Sequence, residues 1–371
     1  MQLIMVSPRY SRQICLPEIG EKGQEVLKKS RVLVIGAGGL GSPAALYLAA
    51  AGVGELGLID PDRVDLSNLQ RQILFRTDQQ GALKVDAAKA ALVALNPEIK
   101  IKAWPEKLTP DNAREIAGHY DVLLDGTDNF PSKFLIGDIA QALGIPLIHG
   151  TVTGFEGRVT VFPGKDGPCF RCVHPKIPET RIANCAESGV LGAVTGVIGS
   201  IQAIETIKLL LGGNSRSLSG RMLVFEAWQM EARVFDIQQN PDCSFCALNK
   251  TAFDPKRPEY QSKSACAHKS QDHPAFNLSP EDLAHIPHYV LVDIRELSEW
   301  DQGRIPGARH WPLASVIAGA HAFEPALHYV LYCRSGVRSA SALEFLHDQG
   351  IKNVSHLREG ILGWRGPLDR N

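Results

Sequence analysis

The sequence predicts an α/β protein in two parts, a larger mostly parallel sheet followed by a smaller α/β domain. Three observations carry that reading. From about Arg31 to Leu211, short Val/Ile/Leu runs alternate with helical patterns, which is the signature of βαβ units. A glycine-rich loop joins the first such run to the first such helix. Between about Asn249 and Asn277 the periodicity stops, and the remaining residues then resume it. A chain of 371 residues has room for two domains of about 150 residues each.

Taken in order, Arg31–Ile35, Leu56–Asp60 and Asp121–Asp125 read as strands, with Gly41–Gly52 and Lys84–Leu95 as the intervening helices. Arg158–Phe162 and Arg221–Glu226 look like antiparallel additions to that sheet. Val194–Leu211 carries apolar residues at 194, 197, 198, 201, 204 and 207, the spacing of a core helix. Lys, Arg, Pro, Ser, His and Gln dominate the next stretch, so residues 249–271 are expected to link a domain at 1–248 to one at 272–371. In that second domain Tyr289–Asp293 and His328–Cys333 look like strands and Ala340–Asp348 like a helix.

Lys+Arg 39 against Asp+Glu 40 leaves a net charge of −1, which argues against a nucleic-acid binder or a polybasic membrane binder. Hydrophobic residues at 44% and charged residues at 21% are the mix of a globular protein, so disorder along the whole chain is excluded. No uncharged apolar run reaches about 18 residues, and a spanning helix is not expected. Arg9, Arg12, Glu18, Glu21 and Lys22 stand where a signal peptide would need its apolar core, which favours the cytoplasm. Eight cysteines are too few for a disulfide scaffold.

The first strand runs into Gly36-Ala37-Gly38-Gly39-Leu40-Gly41 and then an Ala-rich helix. Glycines let the backbone turn tightly and approach a ligand, and the helix start offers free N–H groups to phosphate. Asp60, nineteen residues after Gly41, stands where a carboxylate can accept from ribose hydroxyls. An NAD-binding fold would share all of this. Ser67-Asn68-Leu69-Gln70-Arg71 and then Lys84 add two cations and amides, which suit a triphosphate better than a nicotinamide. Asp125-Gly126-Thr127-Asp128-Asn129 ends the third strand, where a carboxylate can hold Mg²⁺ or align a reacting phosphate. Read one at a time, Arg71 and Lys84 could be surface charges and Asp128 a helix cap.

In this order the motifs resemble those of the MoeB/ThiF enzymes, bacterial relatives of the ubiquitin-activating enzymes, over roughly Arg9 to Leu248. The resemblance implies a Rossmann-like adenylation domain that binds ATP and Mg²⁺. It implies that Gly36, Gly38, Gly39, Gly41, Asp60, Ser67, Asn68, Leu69, Gln70, Arg71, Lys84, Asp128 and Asn129 surround the nucleotide, with Asp128, Arg71 and Lys84 serving catalysis. Arg9-Tyr10-Ser11-Arg12-Gln13 matches too, and implies a homodimer in which Arg12 reaches the partner's ATP.

Cys169-Phe170-Arg171-Cys172 and Cys243-Ser244-Phe245-Cys246 are two Cys-x-x-Cys pairs. Four thiolates make a closed tetrahedral shell that suits structural Zn²⁺; the wide gap between the pairs also leaves a redox dithiol or unrelated buried thiols open. The resemblance implies zinc, since the same pairs occur at matching places in the family. Cys185 lies in a polar stretch ahead of the Val194 helix. A lone cysteine is usually a small buried hydrophobe; the resemblance implies a mobile loop where it could link to or resolve an activated carrier.

Cys333 begins the loop Cys333-Arg334-Ser335-Gly336-Val337-Arg338 after a strand, with a helix expected from Ser339. Such a loop turns N–H groups inward as an anion cradle, and two arginines add to a field that favours the thiolate. A phosphatase loop shares this design but spaces its arginine one residue further. Leu291-Val292-Asp293-Ile294-Arg295-Glu296, Glu299-Trp300 and Gly303–His310 resemble a rhodanese domain from about Asp272 onward, with Asp293, Arg295 and His310 as supports. That resemblance implies a persulfide on Cys333.

Together the two halves imply two steps on a ubiquitin-like sulfur carrier with a Gly-Gly tail. ATP adenylates its C-terminal carboxylate, and Cys333 persulfide, loaded by a cysteine desulfurase or thiosulfate, converts the product toward a thiocarboxylate. Three alternatives remain from the sequence: a thioester-forming activating enzyme using Cys185, an NAD(P)H-dependent persulfide or disulfide reductase, and a scaffold that only docks a carrier.

Overall fold

A computed structural model describes residues 8–177, 189–213, 216–247, 253–261, 276–334 and 336–370. Cys185 lies outside the described residues. The chain divides into two compact units, Met1–Ser264 and Ala265–Asn371.

The first unit carries eight strands: β1 Arg31–Ile35, β2 Glu55–Ile59, β3 Lys100–Trp104, β4 Val122–Asp125, β5 Leu147–Thr153, β6 Glu156–Phe162, β7 Arg221–Glu226 and β8 Glu231–Asp236. They form one sheet in the order β3-β2-β1-β4-β5-β6-β7-β8. Neighbours from β3 to β5 are parallel, and those from β5 to β8 are antiparallel. The helices that position the site are α1 Gly41–Ala50, α2 Lys84–Leu95, α3 Phe130–Leu143 and α4 Gly192–Leu210.

β1 shows why the apolar runs do not alternate with polar residues. Val32 and Val34 pack with Leu48 of α1 and Ile198 of α4, while Leu33 and Ile35 pack with Phe134 and Ile136 of α3. Successive side chains of a strand point to opposite faces, so a strand covered on both sides must be apolar at every position. The strand order reverses between β1 and β4, and the crevice beyond their C-terminal ends is where such sheets bind ligands. Both glycine turns open there: Gly36 N–H donates to the Ile59 carbonyl (2.9 Å) and Gly126 N–H to the Ile35 carbonyl (2.8 Å).

Two expectations change. The core-helix spacing held Val197 and Ile204 inside, yet on α4 both are exposed while Val194, Ile198 and Ala203 are buried. Gly199 brings this helix so close to α1 that a Cβ there would sit 2.5 Å from the Leu40 carbonyl oxygen, which fixes which stripe faces inward. α4 is also long and apolar enough, by composition, to cross a membrane; its buried stripe is part of the first unit's core. The stretch expected as linker is not featureless. Pro258–Gln261 forms a helical turn in the first unit, with Tyr260 buried in the same cluster as α3.

The second unit is a five-stranded sheet: β9 Asn277–Leu278, β10 Tyr289–Asp293, β11 Arg309–His310, β12 His328–Tyr332 and β13 Val354–Leu357, in the order β11-β10-β12-β13-β9. All of its neighbours are parallel. β12 is central, and α5 Val337–Asp348 follows it, starting two residues before the expected Ser339 because Gly336 takes the N-cap position at φ +86°.

Candidate active sites and a cysteine cluster

At the crevice the loop glycines divide into two kinds. A Cβ on Gly36 would sit 3.0 Å from the Gly126 backbone, and one on Gly41 would sit 2.0 Å from the Gly36 carbonyl oxygen. These two are required by backbone packing. Gly38 and Gly39 are half-buried and face side chains instead: Gln72 beyond Gly38, and Thr195 and Arg71 beyond Gly39. The amide oxygen of Gln72 is buried and has no hydrogen-bond partner among the described residues, while its Nε2 lies toward Gly38.

Asp60 is buried and both its oxygens already accept, from Ala37 N–H (2.8 Å) and Asp62 N–H (2.8 Å). It therefore ties the glycine loop to the end of β2, and reaches a ribose only with its remaining lone pairs. Burial pushes its carboxyl above the usual range, opposed by the Lys84 ammonium and the two N–H donors. Lys84 is itself buried at the start of α2, with Nζ 2.9 Å from the exposed Asp62. Arg71 is half-buried and donates to the Ser67 carbonyl (3.1 Å). Ser67 donates to Asp65 (2.5 Å), the cap of the turn Leu66–Asn68, and Asn68 donates to Ser67 (3.3 Å). Leu69 packs on the core, and the Gln70 backbone lies against Gly192 of α4.

Thus Gly36–Gly41, Asp60, Arg71 and Lys84 come together through direct neighbours. Asp128 is exposed on the turn after β4, and Arg12 is exposed on the short helix Ser11–Ile14. Asn129 is the N-cap of α3, its Oδ1 accepting from Ser132 N–H (3.0 Å).

Sequence reasoning missed the cluster beneath this turn. Asp125, fully buried, accepts from Thr127 N–H (2.9 Å), Thr127 hydroxyl (2.6 Å), Lys133 Nζ (3.0 Å) and His149 Nδ1 (2.7 Å). Burial alone would raise this carboxyl; Lys133 and His149 outweigh it and hold it well below the usual range. His149 is pushed down by burial and by Lys133. The cluster fixes Gly126–Thr127, and with them the approach to Asp128. A histidine inside the apolar run Leu147-Ile148-His149 was the available signal, because a buried polar group needs a partner.

The four cysteines of the two pairs do converge, all sulfurs lying within 4.8 Å of one another. Cys169–Cys172, Cys169–Cys243 and Cys172–Cys246 are 3.9, 3.7 and 3.4 Å apart. A tetrahedron with metal–sulfur bonds of about 2.3 Å has edges of about 3.8 Å, whereas a disulfide needs about 2.05 Å. Burial and the neighbouring sulfurs push the Cys169 thiol up, and burial pushes Cys172 up to about 11. Four crowded thiolates thus need a cation among them, and the set can hold one metal ion. Arg171, inside the first pair, is buried and forked onto Asp138 (2.8 and 2.7 Å) with a third bond to Glu259 (2.8 Å). Tyr260 donates to the same Asp138.

In the second unit Cys333 closes β12 with 1% exposure. The Cys333 and Arg334 carbonyls accept from Ile361 (2.8 Å) and Leu362 (3.1 Å), so the trans peptide turns the Arg334 N–H to the other side. Arg338 forms a bidentate pair with Glu299, both bonds 2.7 Å, and also reaches the Cys333 sulfur, so the pKa of its guanidinium is raised first by Glu299 and then by Cys333. That guanidinium in turn holds the Glu299 carboxyl below its usual range. Asp293 grips Arg295 (2.9 and 2.6 Å), and His310 pairs with the Arg295 carbonyl (2.9 Å), a rigid support beside the loop.

A nucleotide-type crevice in one unit and a strand-end cysteine loop in the other define an enzyme that joins substrate activation to sulfur chemistry. The chain belongs to the ThiF family, matched over residues 10–245, and carries a rhodanese-like domain matched over residues 280–366. The adenylyltransferase and sulfurtransferase MOCS3 of Culex quinquefasciatus is 37% identical over 387 residues, covering 98% of this chain and 88% of that one. The probable adenylyltransferase/sulfurtransferase MoeZ of Mycobacterium tuberculosis (strain ATCC 25618 / H37Rv) is 37% identical over 377 residues, covering 96% and 92%. Among solved structures, PaaA is 30% identical with TM-score 0.53, covering 62% of this chain and 73% of that one. Escherichia coli MccB, solved with ATP, is 21% identical with TM-score 0.57, covering 65% and 75%, a likeness of fold. The chain is accordingly an adenylyltransferase and sulfurtransferase in class.

Proposed function

We propose that this enzyme adenylates the C-terminal glycine carboxylate of a ubiquitin-like, Gly-Gly-tailed sulfur carrier with ATP, then passes sulfur to it from a Cys333 persulfide. The observation that carries the first half is the crevice: Gly38 and Gly39 open toward Arg71 and Gln72, while the Lys84 ammonium pairs with Asp62 and acts on the Asp60 carboxyl that holds the loop. Two cations and loop N–H groups suit a triphosphate.

A carboxylate is a poor electrophile because its charge repels nucleophiles and oxide leaves badly. Transfer to AMP removes both obstacles. Arg71 and Lys84 would hold phosphate oxygens as charge shifts to the departing pyrophosphate, joined by Arg12 from the partner in a homodimer. Mg²⁺ would supply charge neutralisation on the phosphates, with exposed Asp128 as its available carboxylate. Zn²⁺ fits the four sulfurs and leaves no open position, which makes it structural.

Cys333 persulfide would then attack the mixed anhydride, expelling AMP and giving an acyl disulfide. The Cys185 thiolate would attack the Cys333 sulfur, so that the thiocarboxylate leaves and a Cys185–Cys333 disulfide remains. A thiol reductant would open that disulfide before a cysteine desulfurase or thiosulfate reloads Cys333, all in the cytoplasm. Carrying both units on one chain converts an encounter into a tethered step at about millimolar effective concentration.

The test is intact-mass analysis of a Gly-Gly-tailed carrier incubated with enzyme, ATP, Mg²⁺ and thiosulfate. Replacement of oxygen by sulfur adds about 16 Da, and Cys333→Ala is expected to abolish that gain while ATP–pyrophosphate exchange continues. Exchange without any mass gain in wild type would remove the sulfur step. A carrier held as a thioester on the enzyme, with no thiocarboxylate, would assign it instead to thioester formation.

A further inference from the structure

Cys333 sits almost wholly enclosed, so a proton leaving its sulfur needs an internal acceptor. One chain of polar groups leads away from it. Ser339 Oγ, fully buried on α5, lies 3.7 Å from Cys333 Sγ, 3.2 Å from His356 Nδ1 and 3.0 Å from the Gly336 carbonyl. His356 on β13 is also buried, and its Nε2 lies 2.6 Å from Asn277 Oδ1 on the paired edge strand β9. An amide oxygen only accepts, so Nε2 carries the proton and Nδ1 of the neutral ring presents its lone pair to Ser339.

We propose that His356 is a positioning residue for sulfur loading, one that takes the Cys333 thiol proton through Ser339. This rests on the sulfurtransferase reading of the second unit. The Ser339 hydroxyl is set to donate to Cys333 Sγ (3.7 Å), the arrangement that follows transfer; before it, the hydroxyl turns to His356 Nδ1 and Sγ–H donates to Ser339 Oγ. Each proton then moves one place along. The ring becomes imidazolium, Nδ1–H donates to Ser339, and the hydroxyl donates to the new thiolate. That thiolate attacks the outer sulfur of a sulfane donor, a persulfide or thiosulfate. A Cys333 S–S bond forms as the donor's S–S bond breaks, and the electron pair leaves on the donor's thiolate or on sulfite.

Glu299 is held by Arg338, while His328 and His347, flanking the same strand, face Ser355 and the Val354 carbonyl.

The test follows alkylation of Cys333 by iodoacetamide in the full chain near neutral pH, read by mass spectrometry of the Cys333 peptide. Ser339→Ala and His356→Gln are each expected to slow it about tenfold or more. The double variant should be no slower than either single, and Ser339→Thr should recover the rate. Folding of each variant is checked by the melting of the second unit. Wild-type alkylation in both single variants, or multiplying losses in the double variant, would overturn the relay. Loss of alkylation in Ser339→Thr as severe as in Ser339→Ala would also overturn it. Thiosulfate turnover is run in parallel: wild type lacking turnover while alkylation follows the expected pattern would remove the sulfurtransferase reading and keep the relay.

Discussion

At the scale of single residues, backbone clearance and buried charge set the sharpest limits. Gly336 has φ +86°, and a Cβ there would lie 1.8 Å from the Arg358 carbonyl oxygen. Both the conformation and the space exclude a side chain, at a cost of about 1–3 kcal/mol for the strained backbone alone. Gly336→Ala is expected to abolish sulfur transfer and leave ATP–pyrophosphate exchange intact, measured side by side on one preparation. His149 gives a pH dependence of definite sign. Its folded value is depressed below 6.5, so the unfolded chain binds the proton first. The stability it contributes is present above the unfolded value and is lost as pH falls from there toward the folded one. Asp125, also depressed, contributes stability above the ordinary carboxylate range and loses it only in stronger acid. His149→Gln keeps a donor for Asp125 and removes the titration. The melting temperature of the first unit should then decline less between about pH 7 and about pH 5 than in wild type.

At the scale of elements, α3 shows what was readable and what was not. Asn129 at the cap, Pro131 in the first turn and Gly144 at the end with φ +65° are ordinary helix boundary signals. Asn129 caps this helix through its Oδ1, a role that its place beside Asp128 in a ligand-type motif does not reveal. The turn Pro258–Gln261 was hidden for a different reason. Its hold on α3 comes from Glu259 and Tyr260 meeting the Arg171–Asp138 pair, over sequence separations of 88 and 122 residues. No local pattern encodes such a meeting. Removing one member of a buried ion pair strands the other, which costs about 3–5 kcal/mol. Arg171→Met should lower the urea midpoint of the first unit accordingly, and Arg171→Lys should not restore it, since a single ammonium cannot fork onto Asp138.

At the scale of the whole molecule, each unit has its own apolar clusters. Leu48, Ile198 and Phe134 belong to the first, and Tyr329, Leu331 and Leu346 to the second. Calorimetry should therefore resolve two transitions. Because a structural ion contributes its binding free energy to folding, a strong chelator should lower the first-unit transition and leave the second in place. A second transition that moved with the first would contradict independent cores.

Sequence alone determined the α/β class, the two-part chain, the glycine loop and the strand-end cysteine. Each of these is a local pattern, since a buried parallel strand must be apolar at every position and a tight turn must use glycine. Tertiary structure decided the roles that depend on distant neighbours. It placed Gly36 and Gly41 in backbone packing and left Gly38 and Gly39 facing the crevice. It gave Asp60 two N–H partners, paired Arg338 with Glu299, and set His356 behind Ser339 and Cys333. A side chain's charge and hydrogen-bonding capacity are written in its residue type, but what they are spent on depends on which groups folding brings within about 3 Å.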